Sequence, residues 1–348
     1  MALTPGTPSQ TFSAAALAAD VEPRRAPGYA RFAWGVLGFN LLVVLWGAYV
    51  RASGSGAGCG SHWPLCNGEV VPRSPAVATL IEFGHRTTSG IALLLVAALV
   101  IGAWRRFPPR HAARLASACA AFFLITEALI GAGLVLLELV AQNASVARGY
   151  WVAGHLVNTF LLIAALTLTA WWAAAPPGRL RREAKPIIFA VAAASLIVLG
   201  VSGAVTALGD TLFPAASLAE AETQTFAESA HVFIRLRIWH PALALATGAF
   251  LAFTAFSAVT HAPRRAVRRL AVGLVALFLL QLGVGLANVW LLAPIGMQLV
   301  HLFLSHLIWI TLVLLSANAL APAVPTNLRR VDRPPKTPQS SRISIPSP

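Results

Sequence analysis

Apolar residues along this chain fall into eight long stretches that are separated by short polar or glycine-rich segments. A helix of about 20 mostly apolar residues is long enough to cross a bilayer. The pattern therefore predicts an all-α integral membrane protein with eight transmembrane helices. These lie near residues 32–50, 77–103, 113–137, 150–173, 186–208, 232–257, 268–292 and 297–320.

The composition supports a membrane protein, with 57% hydrophobic and 11% charged residues and a mean hydropathy of +0.72. The formal charge of +14 does not indicate nucleic-acid binding, because the basic residues occur in clusters between the apolar stretches. The clusters at 24–25, 105–114, 179–185 and 264–269 and the tail from Arg329 alternate with nearly uncharged or acidic loops. By the positive-inside rule, they predict a multi-pass protein with both termini in the cytoplasm.

An internal repeat appears when residues 30–173 are laid against 186–320. The GAYV sequence at 47–50 matches GAV at 203–205, and the GAGL sequence at 131–134 matches GVGL at 283–286. We therefore expect two pseudo-symmetric four-helix bundles. The predicted parts are a cytoplasmic tail at 1–30, a first half at 31–175, a second half at 176–320 and a disordered cytoplasmic tail at 321–348.

Four histidines recur at matching positions of the repeat, each near the start of a separate apolar stretch. His85 matches His240, and His155 matches His301. An imidazole in hydrocarbon is unusual and generally lines a cavity or binds a cofactor, although any one of them could instead form a hydrogen bond between helices. Two rings inside a helix bundle can coordinate one haem iron from opposite sides. The pattern predicts one iron site in each half. His306 is rotated about 140° from His301 on an ideal helix, and we interpret it as a polar contact between helices.

Glu82 lies three residues before His85, on nearly the same helix face. An acidic side chain in the middle of a membrane helix costs roughly 2.5–3.5 kcal/mol. It is either a helix-start glutamate favoured by the helix dipole or an acid, base or charge stabiliser beside a haem. Its repeat counterpart is Arg237, so only one half has the carboxylate. This asymmetry suggests that one haem undergoes chemistry and the other serves it.

Cysteine and arginine residues surround this position. Cys59 and Cys66 lie in the first outer loop and can close a small disulfide, which could be structural or redox active. Arg51 and Arg86 are candidates for binding haem propionates, because guanidinium pairs well with carboxylates. They could equally anchor helix ends.

Several motifs together resemble the haem A synthases over residues 30–320. They are GAYVRASGSGAGC at 47–59, WPLCNG at 63–68, IEFGHR at 81–86, HLVNT at 155–159, WHPA at 239–242 and QLVHL at 298–302. The resemblance implies an enzyme that converts haem O to haem A by oxidising a porphyrin methyl group to a formyl group through successive hydroxylations. Haem A would then be supplied to terminal oxidases.

The same resemblance implies roles for the candidate residues. His85 and His155 would ligate the iron of the substrate haem beside Glu82, and His240 and His301 would ligate a haem b cofactor. Cys59 and Cys66 match the outer-loop cysteines of the family. The expected partners are haem O, membrane lipid, a haem O synthase and an electron-transfer protein, and a homo-oligomer is compatible with the sequence. The bacterial plasma membrane is favoured over the mitochondrial inner membrane.

A di-haem b-type electron-transfer cytochrome is the main alternative function, because four histidines fit it equally well. Two observations weigh against it. Glu82 occurs in one half only, and all four histidines are expected near one face of the membrane, whereas electron transfer across the membrane favours haems at different depths.

Overall fold

Long helices make up nearly all of the computed structural model, which describes residues 26–174 and 185–321. Eight of its helices are long and apolar enough to cross a membrane, and together they confirm the predicted all-α, multi-pass membrane protein. A 3₁₀ turn at Ser55–Ala57 follows the first helix. Within the described residues the α-helices are α1 (Pro27–Ala52), α2 (Val77–Arg106), α3 (Ala112–Leu136), α4 (Val146–Ala174), α5 (Pro186–Leu212), α6 (Leu218–Phe226), α7 (Val232–His261), α8 (Arg265–Trp290) and α9 (Ile295–Leu320).

The helix boundaries follow the apolar pattern closely at most ends. Pro27 and Pro186 occupy the first positions of α1 and α5, where a missing backbone N–H costs nothing. Because of Pro27, α1 begins inside the segment predicted as an N-terminal tail. Residues 1–25 of that tail, the tail after Ala321 and most of the basic cluster at 179–185 lie outside the described residues. The predicted orientation in the membrane therefore stays a prediction.

The spanning helices pack in chain order within each half. Helix α1 packs on α2, α2 on α3, α3 on α4, and α4 returns to α1. In the second half, α5 packs on α7, α7 on α8, α8 on α9, and α9 returns to α5. The two halves meet where α4 contacts α5 and α9 and where α1 contacts α9. Each half is thus a ring of four helices, while the predicted pseudo-symmetry and domain boundaries stay predictions.

Apolar side chains lie both inside and outside this bundle. Leu99, Leu166, Leu274 and Leu315 are fully buried between helices. Large apolar residues also cover the outer surface, including Phe256, of which 68% is exposed. A surface of this kind suits a protein whose surroundings are hydrocarbon rather than water.

Helix α6 is a short element in the outer loop before α7, and the sequence pattern did not predict it. Ser217 caps its first turn by accepting a hydrogen bond from the Glu220 backbone N–H. The Glu220 carboxylate accepts a hydrogen bond from the Ala216 N–H in return. This reciprocal capping is a known start signal for helices, and it explains why a segment of only nine residues is helical here.

Candidate functional site

The four predicted histidines lie at the same end of the bundle, each within the first ten residues of its own helix. Each ring faces a glycine on the neighbouring helix that precedes it in its half. A Cβ atom added to that glycine would stand within 4 Å of the ring in every case. The pairs are Gly47 with His85 (2.9 Å), Gly131 with His155 (3.8 Å), Gly203 with His240 (2.8 Å) and Gly285 with His301 (3.2 Å).

These contacts correct the alignment of the two halves by two residues. The sequence pattern matched Gly131 with Gly283, but the glycine that faces a histidine in the second half is Gly285. Gly131 and Gly285 also lie at matching places, because each is five residues before the last residue of its helix, Leu136 and Trp290. In the corrected alignment, Glu127 on α3 is equivalent to Gln281 on α8.

His240 and His301 form a pair in the second half. Their ring centres lie 6.4 Å apart, with the planes inclined at 71°. Nδ1 of His240 lies 2.9 Å from the hydroxyl of Ser202, which leaves Nε2 as the ring atom able to bind a metal. Nδ1 of His301 is buried and has no hydrogen-bond partner among the described residues.

The spacing of this pair fits one metal ion between the two rings. An imidazole nitrogen binds a metal at about 2 Å and lies about 1 Å from its own ring centre, so the centres of two such rings are roughly 6 Å apart. The observed separation of 6.4 Å agrees with this value. The glycines opposite the rings leave the space that the pair occupies, so the residues present fit a haem whose iron His240 and His301 would hold.

His85 and His155 form the pair in the first half. They lie on α2 and α4, which both pack against α1 and α3. The two rings differ in their surroundings, because Nδ1 of His85 is buried with no partner in the described part of the chain. Nδ1 of His155 instead lies 3.0 Å from Oε1 of Glu127. This contact is within ion-pair distance, although its angle is outside the range of a hydrogen bond.

Glu127 is a site residue that the sequence reasoning missed. Its carboxylate accepts hydrogen bonds from the Asn158 amide and the Thr159 hydroxyl, both on α4. Asn158 is fixed in turn by the hydroxyl of Thr126, which donates to its side-chain oxygen at 2.6 Å. The sequence did contain a sign of this role, because Glu127 is the single acidic residue of an apolar span. An acidic residue in a membrane helix has a high free-energy cost and is usually functional.

Glu82 is buried, with 3% of its surface exposed, and both of its oxygens have partners. Oε2 accepts a hydrogen bond of 2.8 Å from the backbone N–H of Cys59. Oε1 pairs with the Arg86 guanidinium, whose Nη2 lies 2.6 Å away. Arg86 also donates to the backbone oxygens of His62 and Leu65, each at 2.7 Å. Glu82 and Arg86 therefore hold the first outer loop onto α2.

The same loop is closed by a disulfide between Cys59 and Cys66, as the sequence allowed. Both cysteines are buried, with 0% and 1% of their surface exposed. The backbone N–H of Asn67 also donates to the Cys59 oxygen, across the base of this small ring. The disulfide thus holds the Cys59 N–H that contacts the carboxylate of Glu82.

Arg51 connects the two halves. Its Nη1 donates to the backbone oxygen of Ala207 and to the hydroxyl of Thr211 on α5, and its Nη2 donates to Oε1 of Gln298 on α9, all at 2.9 Å.

Arg237, the repeat counterpart of Glu82, forms an ion pair of 2.7 Å with Asp210. The second half therefore has a balanced charge pair at this depth, but no carboxylate at the position of Glu82.

His306 lies apart from both pairs, and its chemistry differs from the sequence interpretation. It is buried, and its Nδ1 lies 2.9 Å from the backbone oxygen of Leu302 in its own helix. The contact with another helix is aromatic, because its ring centre lies 5.3 Å from that of Phe160 on α4. The other ring nitrogen, Nε2, has no hydrogen-bond partner among the described residues.

The chain is similar in sequence to a protein family and to several named proteins. A family model described as cytochrome oxidase assembly protein matches residues 30–313. A protein of Thermus thermophilus named protoheme IX farnesyltransferase is 49% identical over 301 residues, covering 85% of this chain and 50% of the relative. Proteins named heme A synthase are 44% identical over 96 residues in Alkalihalophilus pseudofirmus and 36% identical over 126 residues in Halalkalibacterium halodurans.

Coverage differs between these relatives. The chain spans about half the length of the Thermus relative. The matched segments of the two heme A synthases cover 28% and 36% of this chain and 32% and 42% of those proteins. The family match is broader, because it extends from the start of the first spanning helix into the last.

Proposed function

We propose, since the chain belongs to the COX15-CtaA family of cytochrome oxidase assembly proteins, that it is a haem A synthase. The reaction would oxidise a porphyrin methyl group of haem O to a formyl group through successive hydroxylations. The observation that carries this proposal is the set of four histidines, each facing a glycine, arranged as one pair in each half. The similarity to proteins named heme A synthase supports it.

The second half is proposed to hold a haem b cofactor between His240 and His301. The ring spacing of 6.4 Å supports this role. Ser202 would keep His240 in the tautomer that presents Nε2 to the iron, because its hydroxyl lies against Nδ1. When bound, the haem supplies one-electron redox chemistry whose potential depends on its ligands and surroundings.

The first half is proposed to bind haem O as substrate, with His85 and His155 as iron ligands. Only this half has an acidic residue one turn before its first histidine. Glu82 would act there as a charge stabiliser, because Arg86 and the Cys59 N–H hold its carboxylate in place one turn before His85.

Arg51 and Arg86 remain proposed propionate contacts, but each already has acceptors within the protein. A propionate at Arg86 would compete with Glu82 and with the loop oxygens of His62 and Leu65. A propionate at Arg51 would compete with acceptors on α5 and α9. A substrate that binds these arginines would therefore also loosen the outer loop or the contact between the halves.

Haem O would come from a haem O synthase, and the electrons removed from the methyl group would pass to an electron-transfer partner. The name of the Thermus relative describes an enzyme that farnesylates protohaem IX, which is consistent with haem O as the substrate of this chain. The proposed location is a bacterial plasma membrane, with both termini in the cytoplasm.

The test is to purify the full chain from a host that makes haem O, extract the bound haems and identify them by mass and absorption. His85→Ala and Glu82→Ala are the test variants, and His62→Ala is the matched control, because His62 is exposed in the outer loop. We expect haem A from the parent and from the control, and its loss in both test variants.

Other outcomes of this test point elsewhere. Unmodified haem with reversible redox behaviour in the parent would favour a di-haem electron-transfer cytochrome. Formation of haem O in a second host that makes only haem B would indicate the transferase activity that the Thermus relative's name describes. A parent protein without bound haem would overturn the assignment of the four histidines.

A further inference from the structure

Glu127 lies within the apolar span of α3, and its carboxylate faces the ring of His155. Its side chain is 17% exposed, and Oε1 lies 3.0 Å from Nδ1 of His155. The equivalent residue in the second half is Gln281, which is neutral. The Gln281 amide donates to the backbone oxygen of His301 at 3.0 Å rather than to its ring. The two halves therefore differ in charge beside one histidine of each pair.

We propose that Glu127 is a positioning residue that fixes the tautomer and orientation of His155 and makes it the anchored iron ligand of the first half. This inference rests on the proposed function, in which His155 binds the substrate iron. With Nδ1 at 3.0 Å from the carboxylate oxygen, Nε2 is the ring atom left to bind the metal.

Glu127 is itself held by the helix that carries His155. Asn158 and Thr159 follow His155 by three and four residues, so they lie on the same face of α4, and both donate to the carboxylate. Asn158 also donates to the backbone oxygen of Phe123 on α3, at 2.7 Å. The carboxylate, the ring and the two donors therefore form one rigid unit across the α3–α4 contact.

The carboxylate also changes the strength of His155 as a ligand. A carboxylate beside the non-ligating nitrogen of a histidine raises the basicity of the nitrogen that binds the metal. No such group lies against His85, whose Nδ1 has no partner within the described ranges. We infer that His155 holds the iron throughout the reaction and that His85 is the exchangeable ligand.

The first experiment compares Glu127→Gln and Glu127→Asp with the parent, each purified with haem bound. Glu138→Gln is the control, because it makes the same chemical change at an exposed position just after α3. Loss of an outer carboxylate of this kind typically lowers metal affinity by about 10- to 100-fold, so Glu127→Gln should retain less first-half haem. The midpoint potential of that haem should become more positive, because the negative charge that stabilises ferric iron is gone.

The other readouts separate this role from a general loss of structure. The second-half haem should keep its potential in every variant and serves as an internal reference. Glu127→Asp keeps the charge at a greater distance, so its haem affinity and midpoint potential should lie between those of the parent and of Glu127→Gln. Unchanged haem affinity and potential in Glu127→Gln would overturn the role of Glu127 while leaving the proposed function intact. A parent with no haem in its first half would overturn both.

Ligand exchange provides a test that does not depend on how the Glu127 variants fold. Cyanide is added to oxidised His85→Ala and His155→Ala proteins, and binding is followed by absorption. His85→Ala should keep its first-half haem on His155 and bind cyanide at the open position, whereas His155→Ala should lose that haem. Retention in His155→Ala together with loss in His85→Ala would reverse the assignment and overturn the proposal.

Discussion

Gly203 on α5 lies directly against the ring of His240 on α7, so that an added Cβ atom would stand 2.8 Å from Cε1 of the ring. Real Cβ atoms almost never approach another atom this closely, so a side chain at Gly203 would force the ring to move. Gly47 has the same relationship to His85, at 2.9 Å. The glycines of both halves thus fix where the histidine rings stand.

Substitution of Gly203 by alanine should displace the ring of His240 and weaken haem binding in the second half. Overpacking of this kind typically costs about 1–3 kcal/mol, and the ring has to turn away from its bond with Ser202. We expect Gly203→Ala to lose much of its second-half haem, measured by the absorption of the purified protein.

The control for this variant is Gly283→Ala, in which the added methyl group meets no atom within 4 Å. Alanine is favoured over glycine in a helix by about 1 kcal/mol, so this control should bind haem like the parent and melt no earlier. Equal haem loss in both variants would show that the ring position does not depend on Gly203.

Glu82→Gln should remove haem A formation and also lower stability. The substitution leaves Arg86 without its carboxylate, and removal of one partner from a buried ion pair typically costs about 3–5 kcal/mol. Haem A yield and the unfolding midpoint in detergent measure the two effects.

A double variant, Glu82→Gln with Arg86→Gln, tests the stability effect, because it removes both charges together. If the unpaired Arg86 charge causes the loss of stability, the double variant should regain part of it. A Glu82→Gln protein that makes haem A at the parental rate would rule out the proposed role of Glu82.

The disulfide between Cys59 and Cys66 should stabilise the outer loop that contacts Glu82. Closing a ring of this size contributes about 2 kcal/mol in the chain-entropy account. We expect Cys59→Ser with Cys66→Ser to melt earlier and to exchange the Cys59 amide hydrogen faster, as measured by hydrogen exchange. Cys119→Ser is the control, because Cys119 is a free cysteine on α3. A double variant with parental melting and exchange would mean that Glu82 and Arg86 hold the loop without the disulfide.

The membrane fold could be predicted from the sequence because its physical cause is local. The position of each spanning helix follows from its own run of apolar residues. The depth of each histidine follows from its position within that run. The internal repeat divides the four histidines into His85 with His155 in one half and His240 with His301 in the other. The iron-ligand roles of these residues still await the haem measurements.

The partners of the site residues could not be predicted, because they depend on contacts between distant helices. Glu127 lies 28 residues before His155, and only the register of α3 against α4 brings them together. The glycine that faces His301 is likewise known only from the folded helices, which show Gly285 rather than Gly283 against the ring. The sequence around Arg51 likewise does not indicate that the acceptors of its guanidinium lie on α5 and α9.

Arg51 provides a test of how the two halves are held together. Its guanidinium reaches three acceptors on two helices of the second half, and hydrogen bonds from a charged group contribute roughly 1.5–3 kcal/mol each. Arg51→Lys keeps the charge but cannot reach all three acceptors, so the haem-free protein should melt earlier than the parent. Arg73→Lys is the control, because Arg73 is exposed in the outer loop. If Arg51 acts mainly on a propionate, the haem-free variant should instead melt like the parent, and only the haem-loaded protein should lose stability or substrate affinity.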